Sequence, residues 1–153
     1  GFASRRHFDD PLDALISGKA KLVNRNLGSG TRVQLDHLLK KKAEEIGRDF
    51  KELVKTIKGY ENEVKTHLDV VKAIISGEAD LGLTVRWAAE KYGLNFKSLG
   101  WEKFDFAISA DSHDRPQLRK FLEILSSSEL KKLTEPLKGY RIGDDCGEII
   151  YKP

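Results

Sequence analysis

The fold class this sequence predicts is α/β, with a mainly parallel sheet flanked by helices. Three observations predict it. Helix-type and strand-type apolar patterns alternate along the chain with only short breaks between them. Glycine stands at most of those breaks, at Gly18, Gly28, Gly47, Gly59, Gly77 and Gly93. The stretch from Lys21-Leu22-Val23 through Gly28-Ser29-Gly30-Thr31-Arg32 passes from an apolar run to a glycine turn and then to an amphipathic pattern. That order reads as strand, turn and helix start.

The elements follow in turn. Asp10 is a suitable N-cap with Pro11 at the first helical position, so residues 11–16 read as a short helix that Gly18 stops. Ala20 to Val23 reads as a buried strand. Residues 31–46 read as a helix with Val33, Leu35, Leu38, Leu39, Ala43 and Ile46 as its core stripe. Phe50 to Ile57 is a second helix, and Gly59-Tyr60-Glu61-Asn62 is a loop. Residues 63–75 read as a helix carrying Val64, Leu68, Val71 and Ile75, ended by Gly77. Ala79 to Thr84 is a strand, 86–92 a short helix, and 96–99 and 103–108 two more strands. Helices over 118–125 and 129–133 are split by Ser126-Ser127-Ser128. The segments divide into a ligand-binding α/β lobe over 10–100, a return segment with C-terminal helices over 101–142, and a tail over 143–153.

Composition removes several function classes. No apolar run approaches the ~20 residues of a membrane helix, and no hydrophobic signal region follows the N-terminus. A net charge of +3 with alternating Lys and Glu describes solvated helix faces, not a nucleic-acid patch. The one cysteine, Cys146, excludes an internal disulfide and a multi-cysteine zinc site, so a cytoplasmic location is expected. The chain contains no methionine, which is expected of a piece of a longer protein or of a processed form.

The chemistry concentrates at the glycine turn. A helix start leaves backbone N–H groups unpaired, and the helix dipole adds positive potential there. Ser29 and Thr31 contribute hydroxyls, glycine at 28 and 30 lets a ligand approach the backbone, and Arg32 can reach an anion or a nearby carboxylate. The same residues would equally serve as an ordinary helix cap. The turn is neither a Walker loop, since no lysine follows the last glycine, nor a three-glycine dinucleotide turn. Thr66 and His67 lie near a second helix start. No second histidine stands one turn away, so no metal is expected. Asp80 reads as a residue that orients backbone groups, Gly82 as one that permits close packing or ligand approach, and Arg86 as the opening of the next helix.

Little points to catalysis. There is no Gly-x-Ser-x-Gly elbow, and Cys146 sits in an acidic tail that would not activate a thiol. His7, His37, His67 and His113 have no triad spacing. Asp144-Asp145 with Glu148 lacks the EF-hand pattern.

Asn24-Arg25, Gly28-Ser29-Gly30-Thr31-Arg32 and Leu35-Asp36-His37-Leu38-Leu39 together resemble the second half of the periplasmic-binding-protein-like domain attached to molybdopterin biosynthesis proteins and related regulators. Three further blocks extend the resemblance in order: Gly59-Tyr60-Glu61 with Thr66-His67, Gly77 to Leu83 with Arg86, and Phe104 to Ile108 with Gly139-Tyr140. It covers roughly residues 10 to 142. That family is similar to type 2 periplasmic binding proteins, which close two α/β lobes around molybdate, tungstate, sulfate or phosphate.

The resemblance implies a type 2 fold lacking most of its first lobe, and a sensor that binds a small anion or a molybdopterin-related compound without catalysis or cofactor. Ser29, Gly30, Thr31, Arg32, Thr66 and His67 would bind the ligand, with Asn24, Gly28, Tyr60, Asp80, Gly82 and Arg86 in support. Thr84 and Trp87 depart from the small or aliphatic residues expected there. Donors without a carboxylate near the turn favour molybdate, tungstate or sulfate over phosphate. The alternatives are a LysR-like effector domain of a transcription regulator, or an enzyme domain acting on a phosphorylated metabolite with His67 as its base. An attached domain outside these residues is the expected partner. The apolar faces carried by Phe104, Phe106, Leu118, Phe121, Leu122 and Leu125 are expected to repack or to form a homodimer through 101–135.

Overall fold

The computed structural model describes residues 1–112 and 115–150, and the chain divides into two compact units, Gly1–Gly100 and the segment from Trp101 onward. In the first unit the elements run β1 (Phe2–Ser4), α1 (Pro11–Ile16), β2 (Leu22–Arg25), α2 (Gly30–Glu45), α3 (Phe50–Thr56), β3 (Glu63–Val64), α4 (His67–Ser76), β4 (Leu81–Leu83), α5 (Arg86–Lys91) and β5 (Asn95–Lys97). They build a five-stranded sheet of order β3-β2-β4-β1-β5. β2 runs parallel to β3 and β4, whereas β1 is antiparallel to both β4 and β5. The fold is therefore α/β as expected, its sheet parallel in one half and antiparallel in the other.

Strand alternation sorts the core into two layers. Phe2, Leu22, Leu81 and Leu83 point to the face covered by α1, α2 and α3, together with Leu15, Leu35 and Leu39. Ala3 and Val23 point to the opposite face, where Val70, Val71 and Ile74 of α4 and Ala88 and Ala89 of α5 close over them. Gly82 permits the closest contact. A Cβ there would sit 2.7 Å from the Val23 carbonyl oxygen and 2.8 Å from the Val70 side chain, so α4 rests directly on β4. Gly82 thus serves packing and not ligand approach.

Helix starts follow the sequence closely. The Asp10, Ser29, Asp49 and Thr66 side chains each accept the amide three residues on. Four expectations are corrected. β1 was not expected at all, because three residues give too short a period to read. Residues 63–64 form a strand, and the helix begins only after Thr66, whose cap overrides the apolar spacing of Val64. Val33 and Ile46 lie on the exposed side of α2, since the buried stripe is the narrower set of Leu35, Leu39 and Ala43.

The fourth correction falls in the second unit. Residues 103–108 form no strand. A 3-10 turn (Ala110–Ser112) precedes α6 (Pro116–Leu125) and α7 (Ser128–Thr134), and none of its described residues is buried. Phe104, Phe106 and Phe121 make edge-to-face contacts at 5.3 and 5.1 Å between ring centres. His113 and the end of the expected tail, residues 151–153, lie outside the described residues. No helix among the described residues is long and apolar enough to cross a membrane.

Candidate functional site

β2, β3 and β4 run the same way, so the helices after them all begin at one edge of the sheet. α2 leaves β2 toward one face, and α4 leaves β3 toward the other. Adjacent parallel strands whose following helices diverge leave a crevice at their carboxyl ends, where α/β proteins bind ligands. Arg25, Gly28, Ser29, Gly30 and Thr31 line the β2 side of that edge, Thr66 and His67 the β3 side, and Thr84 follows β4.

The two longer helices present their starts differently. Gly28 turns the chain with φ of +85°, in open space, and delivers Ser29 as the cap of α2. The Ser29 hydroxyl accepts the Arg32 amide at 3.2 Å and its carbonyl accepts the Val33 amide, which leaves the first-turn amides of Gly30 and Thr31 outside the helix ladder. At α4 the Thr66 hydroxyl accepts the Asp69 amide at 3.1 Å and donates to the Asp69 carboxylate at 2.6 Å. Thr66 is therefore committed to capping, and its bond to Asp69 holds that carboxyl below the usual range.

Arg32 turns inward. It is 4% exposed, donates from Nε to both Asp36 oxygens at 3.0 and 3.1 Å and from Nη1 to Glu63 at 2.9 Å, and lies 4.3 Å over the Tyr60 ring. The Tyr60 hydroxyl donates to Asp36 at 2.9 Å. Burial opposes the Arg32 charge, but Tyr60 and Asp36 outweigh it and hold its pKa above the ordinary value. The expectation that Arg32 reaches an anion gives way to its other option: Asp36 follows by one helical turn and Glu63 arrives on the neighbouring strand. Asn24 and Tyr60 are likewise structural, since the Asn24 amide donates to the Tyr60 carbonyl at 3.1 Å.

His67 is the first residue of α4. Its Nδ1 stands 3.2 Å from Arg25 Nη1, and its carbonyl accepts the buried Thr84 hydroxyl at 3.1 Å. Burial, then the Arg25 charge, then the N-terminal amine lower its pKa below the usual histidine value. Arg25 was not among the expected ligand residues. Its Nε is fully buried and finds no acceptor among the described residues. A buried donor left without a partner costs about 1–3 kcal/mol, and such groups are rare. The sequence signal for Arg25 was its place directly after an apolar run and before a glycine turn.

The remaining expected residues lie elsewhere. Asp80 accepts the Lys21 amide at 2.7 Å and orients the start of β2. Arg86 stacks 5.3 Å over Phe96 and pairs with Glu90 at 3.8 Å, while Trp87 packs on the α4–α5 core. A cavity of about 380 Å³, lined by Phe2, Phe8, Phe96 and Lys97 among others, is away from this edge. No group of three or more His, Cys, Asp or Glu among the described residues could hold a metal.

Comparison with known proteins covers most of the chain. A family model described as the PBP superfamily domain matches residues 6–126. An uncharacterized protein from the 5′ region of the ferredoxin 2Fe-2S gene of Clostridium pasteurianum is 28% identical over 100 residues, covering 62% of this chain and 84% of that protein. The uncharacterized protein YvgK of Bacillus subtilis (strain 168) is 30% identical over 120 residues, covering 78% of this chain and 36% of YvgK.

Proposed function

This chain belongs to the PBP superfamily, and from that premise we propose that it is a ligand-binding sensor domain, without catalysis of its own, for a small oxyanion such as molybdate or tungstate or for a molybdopterin-related compound. One observation carries the reading. The starts of α2 and α4 open on the same edge of the sheet, with the Arg25 guanidinium between β2 and α4. Two helix starts and a guanidinium concentrate positive potential where a negative ligand can replace bulk water. Ser29, Gly30, Thr31 and His67 bind in this reading, Arg25 joins them, and Arg32 supports them from below.

The reading places the domain in the cytoplasm, coupled to an attached or partner domain. YvgK is much longer than the matched region, which is compatible with a sensor carried on a larger protein. The second unit, with no buried residue among those described and with exposed Phe104 and Phe106, supports a homodimer through 101–135. A concentration-dependent sedimentation measurement tests that part, and a monomer at all concentrations rejects it. Calorimetric titration with molybdate, tungstate, sulfate, phosphate and a molybdopterin precursor tests the ligand. Specific binding means a Kd of micromolar or tighter, about 8 kcal/mol. Ser29→Ala with Thr31→Ala weakens it by at least tenfold. If that double variant loses only the ~1 kcal/mol of a helix cap, the site is an ordinary capped helix.

A second reading, an enzyme domain acting on a phosphorylated metabolite, draws on His67. A histidine held neutral beside an anion site has the state a general base needs. Turnover that disappears in His67→Ala would establish it.

A further inference from the structure

We propose that the free edge of β5, with the cavity beside it, receives residues 103–108 of a second copy of this chain as an added strand, with the Phe104 ring in the cavity. The inference rests on the homodimer reading above and deepens it, naming the surface that each copy brings. β5 is the last strand in the order β3-β2-β4-β1-β5. Its inner side pairs with β1, and its outer side meets no strand among the described residues. An open edge of this kind is a template for another extended segment. Lysine often guards such edges, but here Lys97 Nζ donates to the Asp9 carbonyl and is tied to the loop before α1.

The cavity of about 380 Å³ adjoins this edge. Phe2, Phe8, Pro11 and Leu81 give it apolar walls, and exposed Asn95 and Lys97 of β5 line it as well. Lys97 pairs with Phe2 and Asn95 with Ser4, so the two β5 side chains share the sheet face on which Phe2 and Leu81 lie. Strand addition draws its affinity from main-chain hydrogen bonds and its specificity from pockets that take alternate side chains. β5 and this cavity supply both.

The chain also carries a fitting segment. Residues 103–108 alternate like a strand yet form none. In extended form Phe104, Phe106 and Ile108 fall on one face, and Lys103, Asp105 and Ala107 on the other. Phe104 is 83% exposed, the ring most in need of cover. Each copy holds both the edge and the segment, so a two-fold pair exchanges both and leaves neither open.

Sedimentation of the whole chain over a range of concentrations, with amide hydrogen exchange at each, tests this. The expected result is a monomer–dimer equilibrium in which the amides of Asn95–Lys97 and of 104–108 exchange roughly tenfold more slowly as the dimer fills. Phe104→Asp, at an exposed site, raises the dimer Kd at least tenfold. A synthetic peptide of residues 103–108 slows the same β5 amides and competes with dimer formation. The diluted chain is the monomer reference, or the Phe104→Asp variant if the dimer is tight. A monomer at all concentrations overturns the homodimer reading and this inference with it, and slow exchange at β5 in that monomer marks the segment folding back on its own chain. A dimer whose β5 amides exchange as fast as in the monomer, or one that Phe104→Asp leaves unchanged, overturns this inference alone.

Discussion

Arg25 and Arg32 are seven residues apart at the end of β2 and the start of α2, yet their surroundings are opposite. Arg32 is buried among two carboxylates and a tyrosine ring. Arg25 faces a neutral imidazole and keeps one buried N–H unpaired. A guanidinium met by carboxylates becomes part of the framework. One met only by a neutral partner keeps its charge available. On the proposed reading, the contrast separates a framework arginine from a ligand-facing one seven residues away.

The largest effect expected from breaking this contrast is on Arg32. Arg32→Ala strands Asp36 and Glu63 beside a buried site, and urea unfolding should show a loss of about 3 kcal/mol. A loss below about 1 kcal/mol would mean that Arg32 is not the framework residue described. Arg25→Ala should do the reverse. Its stability changes by less than about 1 kcal/mol because an unpaired donor is removed with the side chain, while sulfate or molybdate affinity falls at least tenfold. Equal stability losses for the two variants would erase the distinction.

Tyr60→Phe sharpens the comparison at a smaller scale. It removes one hydrogen bond to Asp36 but leaves the ring under Arg32, for a loss of about 1 kcal/mol. The smallest effect is in the pH dependence. His67 has a folded pKa below its unfolded value near 6.5, so its contribution is fully present above that pH. As pH falls below about 6.5, the unfolded chain takes up a proton that the folded one resists, and stability declines toward the lowered pKa. Tm followed from pH 7.5 downward should fall less steeply in His67→Asn than in the unaltered chain. Identical slopes would remove His67 from the buried side of the site.

Much of the first unit was legible because local and global signals agree there. Asp10-Pro11 and Ser29 mark helix starts by cap chemistry alone, and the structure starts those helices within a residue of the expected places. The PBP-like family was legible from blocks of residues in order, and the family match over residues 6–126 covers all of them except Gly139-Tyr140. What escaped had physical reasons. β1 is three residues long, and only its partners β4 and β5 make it a strand. Residues 103–108 alternate like a strand but pair with none. At the candidate site, Ser29 was legible as a helix start and Thr66 only as a residue near one, whereas the fates of Arg25 and Arg32 depended on His67, Asp36 and Glu63. Those residues reach them only through the fold.

The interior position of β1 has a consequence for how the chain acquires this structure. Phe2 pairs with Leu83 on one side and Lys97 on the other. A strand made first must therefore wait for partners some eighty and more residues later. Closing a loop of that length costs on the order of 4 kcal/mol of chain entropy before any contact repays it. The parallel trio β3-β2-β4 can assemble earlier, so folding should finish with the capture of β1 between β4 and β5. Sheets completed by such distant pairings fold slowly. During synthesis, the edge of β4 that will receive β1 is exposed until β1 docks there.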